Sequence, residues 1–165
     1  MNAITASIDG SNVYGSDAAR AHELRALDGT GRLKTSPGQL LPFNVHGFPN
    51  APTSADPTLF LAGDVRCNEQ VGLTAMHTLF VREHNAVCDH LKGAYPDWND
   101  NRLFNVARLI TDAVMAKIHT VEWTPAILPN PAPDAGTHIH WYDALTHPLR
   151  KGQPREPRPE IQARP

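Results

Sequence analysis

Three short segments carry residue types and spacings that could do chemistry. The first is Thr5-Ala6-Ser7-Ile8-Asp9-Gly10-Ser11. Oxygen-bearing residues stand at every second position, so an extended or looped backbone turns them to one side. Converging side-chain and backbone oxygens suit calcium, a hard cation that takes roughly six to eight of them. The same residue types also build ordinary turns. The second segment is Asp64-Val65-Arg66-Cys67-Asn68-Glu69-Gln70. Arg66 is a permanent cation just before an expected helix, where the helix dipole is also positive, and the two together can stabilise an anion or a developing oxyanion. Glu69 lies one turn on and could face the same space. An Asp64–Arg66 ion pair, with a Glu that favours a helix N-terminus, accounts for the same residues without any chemistry. The third segment holds His77 and His84. They share one helical face but stand roughly 10 Å apart along the axis, too far for two ligands of one metal. Hydrogen-bonded histidines of the core or surface are expected. His138 and His140 fall in a stretch rich in proline and glycine and are as easily solvated as bound.

The elements that must position these groups are helical. Ser16 or Asp17 can cap a helix over Ala18 to Leu27. From Asp28 to Pro57 the chain is dense in Gly, Pro, Asn, Ser and Thr, with scattered anchors at Leu40, Leu41 and Phe43. A loop of that length is functional or wraps a larger body. Leu73, Met76, Leu79, Phe80, Val87 and Leu91 recur at helical spacing and predict a helix from Val71 to about Leu91, stopped by Gly93 and Pro96. Asn99 or Asp100 caps the next helix, whose buried face is expected to hold Leu103, Val106, Ala107, Ile110, Val114, Ile118 and Val121. Pro125 and Pro129 end it. A short turn joins the two, which predicts an antiparallel pair. No alternating strand pattern occurs, so the fold class is mainly α.

Composition removes several classes of function. A net charge of -2 over 165 residues provides no concentrated basic patch for nucleic acid or an anionic membrane. No apolar run reaches the length of a membrane span, and the N-terminus lacks the basic-then-apolar order of a signal peptide. Localisation therefore stays open, a secreted parent included. The two cysteines, Cys67 and Cys88, could pair but make no disulfide framework. From Pro148 onward prolines and arginines replace apolar residues, and such a tail cannot bury enough surface to offset its ordering entropy. The expected division is a domain over 1–147 and a disordered tail over 148–165.

Phe60-Leu-Ala-Gly-Asp-Val-Arg66-Cys-Asn-Glu69-Gln70, followed by Leu73-Thr-Ala-Met-His77-Thr-Leu-Phe-Val-Arg82-Glu83-His84-Asn85, closely resembles the signature helix of the animal-type haem peroxidases. Ser11-Asn-Val-Tyr14-Gly15-Ser16 looks like that family's exit from its calcium loop. The resemblance runs from Ile4 to about Tyr142. Its Arg66-to-Gln70 segment is similar to the peroxidases proper. Ala86-Val-Cys88-Asp89 and Ala116-Lys-Ile-His119-Thr-Val-Glu122-Trp123-Thr124 look like the fatty-acid α-dioxygenase branch.

The resemblance implies an all-helical fold with long loops, haem b as cofactor, and hydrogen peroxide with an electron donor, or a fatty acid, as partners. It makes Arg66 the distal arginine that polarises the O–O bond of peroxide. Glu69 would lie over the haem edge, with a covalent bond to it as one option, and Gln70 would flank the pocket. Thr5, Asp9, Ser11 and the backbone oxygen of Ser7 would hold calcium. His119 is expected to be structural. The family's distal and proximal histidines find no match, so the chain is expected to be an incomplete piece without peroxidase activity of its own.

Overall fold

The computed structural model describes residues 7–51 and 56–128. Thr5, His138, His140 and the tail after Pro148 lie outside them. The described residues form helices and irregular segments, with three isolated antiparallel bridges, Arg25 to Leu33, Ser36 to Leu40 and Phe43 to Phe60, and no strand. The element order is α1 (Ser11–Tyr14), α2 (Ala18–Leu24), α3 (Val71–Ala94), α4 (Asp100–Lys117), a π-helical turn (Ile118–Trp123) and α5 (Thr124–Ile127). The mainly helical class expected from the sequence holds.

Local chemistry sets the helix starts. The Asp17 side chain accepts the backbone N–H of Arg20 (2.8 Å), which caps α2. Asn99 does the same for Arg102 (2.9 Å) at the start of α4. Helix α2 stops at Leu24 rather than Leu27, because Arg25 and Ala26 turn outward to pair with Leu33 and Arg32. Helix α3 runs on to Ala94, three residues past the expected end. Pro125 does not close α4. The backbone widens into the π-helical turn after Lys117, and Pro125 sits in the first turn of α5, where its missing N–H costs nothing.

The two long helices pack on each other, and α1 packs on both α2 and α3. Their core contains Val13, Tyr14, Leu24, Leu33, Leu41, Leu61, Cys67, Phe80, Val81 and Phe104. The faces differ from the periodicity in one respect. Met76, Leu79 and Ile110, expected inside, are 51 %, 54 % and 39 % exposed, whereas His77, Thr78, His84, Asn85 and Cys88 are buried. The inward face of α3 carries polar residues beside Phe80 and Val81 because it also satisfies loop backbone. Asn85 accepts from the Leu33 N–H (2.8 Å) and donates to the Leu33 carbonyl (3.1 Å). His84 lies between Tyr14 (3.0 Å) and the Gly31 carbonyl (3.0 Å).

The loop between α2 and α3 is held rather than loose. Of its expected anchors, Leu41 is fully buried, while Leu40 and Phe43 are 40 % and 43 % exposed. Phe43 instead stacks on Phe60. Polar clamps complete the loop's attachment: Arg20 donates to the carbonyls of Ala62 (2.7 Å) and Pro49, and Arg82 to those of Gly38 (2.7 Å) and Gln39 (3.0 Å). Gly31 has φ 75°, and any Cβ there would overlap Leu103 and the Phe104 backbone. The chain divides after His119, and the described part of the second unit is the end of the π-helical turn, α5 and Leu128.

Candidate functional site

The segment before α3 is a run of turns fastened at both ends. Asn68 accepts from the Phe60 N–H (3.0 Å) and donates to the Phe60 carbonyl (2.8 Å). The Thr74 hydroxyl donates to the Cys67 carbonyl (2.6 Å), which ties the segment to the first turn of α3. Arg66 projects from this frame. Its backbone N–H (2.9 Å) and Nε (3.0 Å) donate to Asp64 Oδ1, and Nη2 donates to Oδ2 (2.7 Å). The Asp64 side chain is 9 % exposed and that of Arg66 54 %. The pair is therefore formed on the inner side of the arginine, and Nη1 has no hydrogen-bond partner among the described residues.

The electrostatics follow from this geometry. Burial works against the Asp64 carboxylate, but hydrogen bonds and charge from Arg66 outweigh it and hold its pKa below the ordinary value. The same pairing pushes the Arg66 pKa upward, with a smaller contribution from Glu69. Arg66 and Glu69 thus lie within electrostatic reach of each other. Gln70 is the N-cap residue of α3, with no side-chain capping bond, and both Glu69 and Gln70 are exposed. The structure brings all three expected haem-side residues to the start of α3. The Asp64–Arg66 ion pair also exists as the sequence allowed, and it leaves the outer side of the guanidinium available.

The oxygen-rich loop lies at the start of α1. Asp9 Oδ1 accepts the Ser11 N–H (3.0 Å) across Gly10, whose φ of 63° permits the tight turn. Ser7 is exposed, Asp9 half-buried and Ser11 buried. A residue the sequence reading missed completes this corner. Asp112 of α4 presses against Gly10 so closely that a Cβ there would overlap its Oδ1, which is buried and has no hydrogen-bond partner among the described residues. Burial raises the Asp112 pKa, Asp9 adds to the rise, and Arg108 opposes it. Arg108 also donates to the Asp9 carbonyl (2.7 Å). Asp112 and Asp9 thus bring carboxyl oxygens near Gly10, and oxygen is the donor chemistry a hard cation takes. The Arg108–Asp112 spacing of one helical turn was the signal available in the sequence.

Neither His77 nor His84 presents an open nitrogen at the surface. Gly31 O can only accept, so His84 carries its proton on Nε2 and accepts the Tyr14 hydroxyl proton on Nδ1. Burial lowers its pKa to about 4. His77 donates Nδ1–H to the Leu73 carbonyl (2.7 Å), and its Nε2 is buried. Both match the expectation of hydrogen-bonded histidines, and the core rather than the surface holds them. His119 is exposed at the end of the first unit. Cys67 and Cys88 are buried and unpaired, their thiols pushed up to about 11 and about 12 by burial, so they are inert rather than reactive.

The family model described as animal haem peroxidase matches residues 1–161. The chain belongs to this family. It is 39 % identical over 142 residues to α-dioxygenase 2 of Arabidopsis thaliana, covering 86 % of this chain and 20 % of that protein. It is also 39 % identical over 137 residues to a peroxidasin homologue of Caenorhabditis elegans, covering 77 % of this chain and 11 % of that one. Among solved structures, the fatty acid α-dioxygenase of Oryza sativa matches with a TM-score of 0.69 at 37 % identity, over 84 % of this chain and 20 % of that chain. The chain spans about one fifth of the length of these α-dioxygenases. The family implies haem, and its members named here are oxidoreductases. No helix among the described residues is long and apolar enough to cross a membrane.

Proposed function

We propose that this chain supplies the peroxide-facing wall of a haem site in a protein that reduces peroxide while oxidising a donor. One observation carries the reading. Arg66 stands at the start of α3, held by Asp64 on its inner side and exposed on its outer side, with Glu69 and Gln70 beside it. A fixed cation there offsets the negative charge that grows on the leaving oxygen as the O–O bond of peroxide breaks. Being fixed in advance, it needs no reorganisation when the charge appears.

The residues fit haem as one side of a pocket. Arg66, Glu69 and Gln70 would border it, and Glu69 is the carboxylate that would lie over its edge, with a covalent bond to it as one option. Bound haem b supplies an iron centre that exchanges electrons with peroxide and donor. His84 cannot serve that iron while it keeps its present bonds, because both ring nitrogens are taken, and the His77 Nε2 is buried. The chain is accordingly proposed to be inactive by itself and active as part of a larger protein. Thr5, Ser7, Asp9 and Ser11 are proposed to hold calcium, a reading supported by the orphaned Asp112 oxygen against Gly10.

A second reading is fatty-acid oxygenation on the same scaffold. It is favoured by the α-dioxygenases among the relatives, one of them solved with palmitic acid. A graft separates the two: the matching segment of the Oryza sativa α-dioxygenase is replaced by this chain's own. Donor oxidation by the haem-loaded graft at the expense of peroxide supports the first reading. Oxygen uptake with palmitate, without donor oxidation, supports the second.

A further inference from the structure

We propose that Asp64 is the positioning residue for Arg66, and that Asp64 takes its own place from α1, the helix leaving the Ser7–Ser11 loop. The proposal rests on the reading of Arg66 as the group that faces peroxide. An arginine side chain more than half exposed normally samples many rotamers, and an exposed ion pair alone does little to restrain it. Arg66 differs because one buried carboxylate takes its Nε, its Nη2 and its backbone N–H together. Both ends of the side chain are therefore fixed to the same group, and the guanidinium plane is set by the fork-on-fork geometry.

Asp64 can aim Arg66 only if Asp64 itself is placed. Its backbone N–H donates to the Asn12 carbonyl of α1 (2.9 Å). The residue before it, Gly63, lies so close to α1 that any Cβ would overlap the backbone of Ser11, Asn12 and Gly15. Glycine is needed here for close approach, not for an unusual φ. Ser11 is both the last residue of the oxygen-rich loop and the first of α1. A short, stiff path thus runs from that loop through α1 and Gly63 to Asp64 and the guanidinium. The groups acting on the Asp64 carboxylate are Arg66 and, more weakly, His77 of α3. Arg20 of α2 in turn feels the charge of Asp64. None of them offers Asp64 a competing hydrogen bond among the described residues.

Side-chain NMR of the isotopically labelled full chain tests this without haem. The Arg66 Nε–H is expected to exchange with solvent about tenfold more slowly than that of an arginine without a partner. In Asp64→Ala that protection should fall to the partnerless level while the amide spectrum stays dispersed. Exchange in the unmodified chain as fast as in partnerless arginines overturns the proposal, whether or not the variant folds. Protection unchanged in a folded Asp64→Ala overturns it equally. For the link to α1, calcium chloride added to the unmodified chain should shift the Arg66 Nε–H together with the Ser11 and Asn12 amides. Movement of those amides without Arg66 overturns the link. Failure of the haem reading would appear in the graft's peroxide turnover and leave these spectra as they are, so the two failures are distinguishable.

Discussion

His84 shows what a single buried side chain does in this protein. Gly31 O fixes its proton on Nε2, Tyr14 fills Nδ1, and Phe104 and Tyr14 flank the ring edge-on. Burial favours the neutral form, so the folded pKa of about 4 lies below the ordinary histidine value of 6.5. The unfolded chain therefore takes up the proton first as pH falls. Stability from this residue is complete above pH 6.5 and is lost progressively toward pH 4, by at most about 3 kcal/mol. His84→Gln removes the titration, and its urea midpoint is expected to vary less between pH 7 and pH 4 than that of the unmodified chain. Equal pH dependence in the two would contradict the assignment. That His77 and His84 do not share a metal was legible, since they stand seven residues apart on one helix. The Gly31 partner of His84 was not, because it lies 53 residues away. Arg66, Glu69 and Gln70 were legible as a group because they are local in sequence. Asp112 was not, because only the fold brings α4 to Gly10.

At the scale of elements, start signals were more readable than faces. Asp17 and Asn99 cap α2 and α4 as their residue types require, through bonds that span only three residues. Asn99→Ala is expected to lower stability by about 1 kcal/mol, and Asn99→Ser to recover most of it. A urea midpoint that drops in the alanine variant and returns in the serine variant, with unchanged slope, would bear this out. No change in the alanine variant would mean that the cap contributes nothing. The buried face of α3 was misread because periodicity assumes that apolar residues turn inward. Here the inward positions must satisfy the carbonyls and N–H groups of a long loop, so Asn85 and His84 go inside and Met76 and Leu79 stay out. The π-helical turn left no mark in the sequence, because Ile118 to Trp123 have ordinary helical propensities.

For the whole molecule, the outward apolar residues are informative. Val71 is 85 % exposed and Leu79 54 %, and together with Leu40, Ala75 and Thr78 they line one groove that ends at Arg82. Contiguous apolar surface of this kind is uncommon on a stable monomer. In the α-dioxygenase relatives the matched segment makes up about one fifth of the chain. The chain should associate as concentration rises, and Leu79→Lys should weaken that association without lowering the melting temperature. A concentration-independent monomer that melts cooperatively above about 60 °C would contradict this reading.

The central claim is that Arg66 faces peroxide across a haem site, and the peroxide turnover of the haem-loaded graft carrying Arg66→Leu tests it most directly. Turnover per haem is expected to fall by about a hundredfold or more relative to the unmodified graft, with the haem absorption band and haem content unchanged. Equal turnover in the two grafts would mean that the exposed guanidinium takes no part in the reaction, and that its bond to Asp64 is only an ion pair.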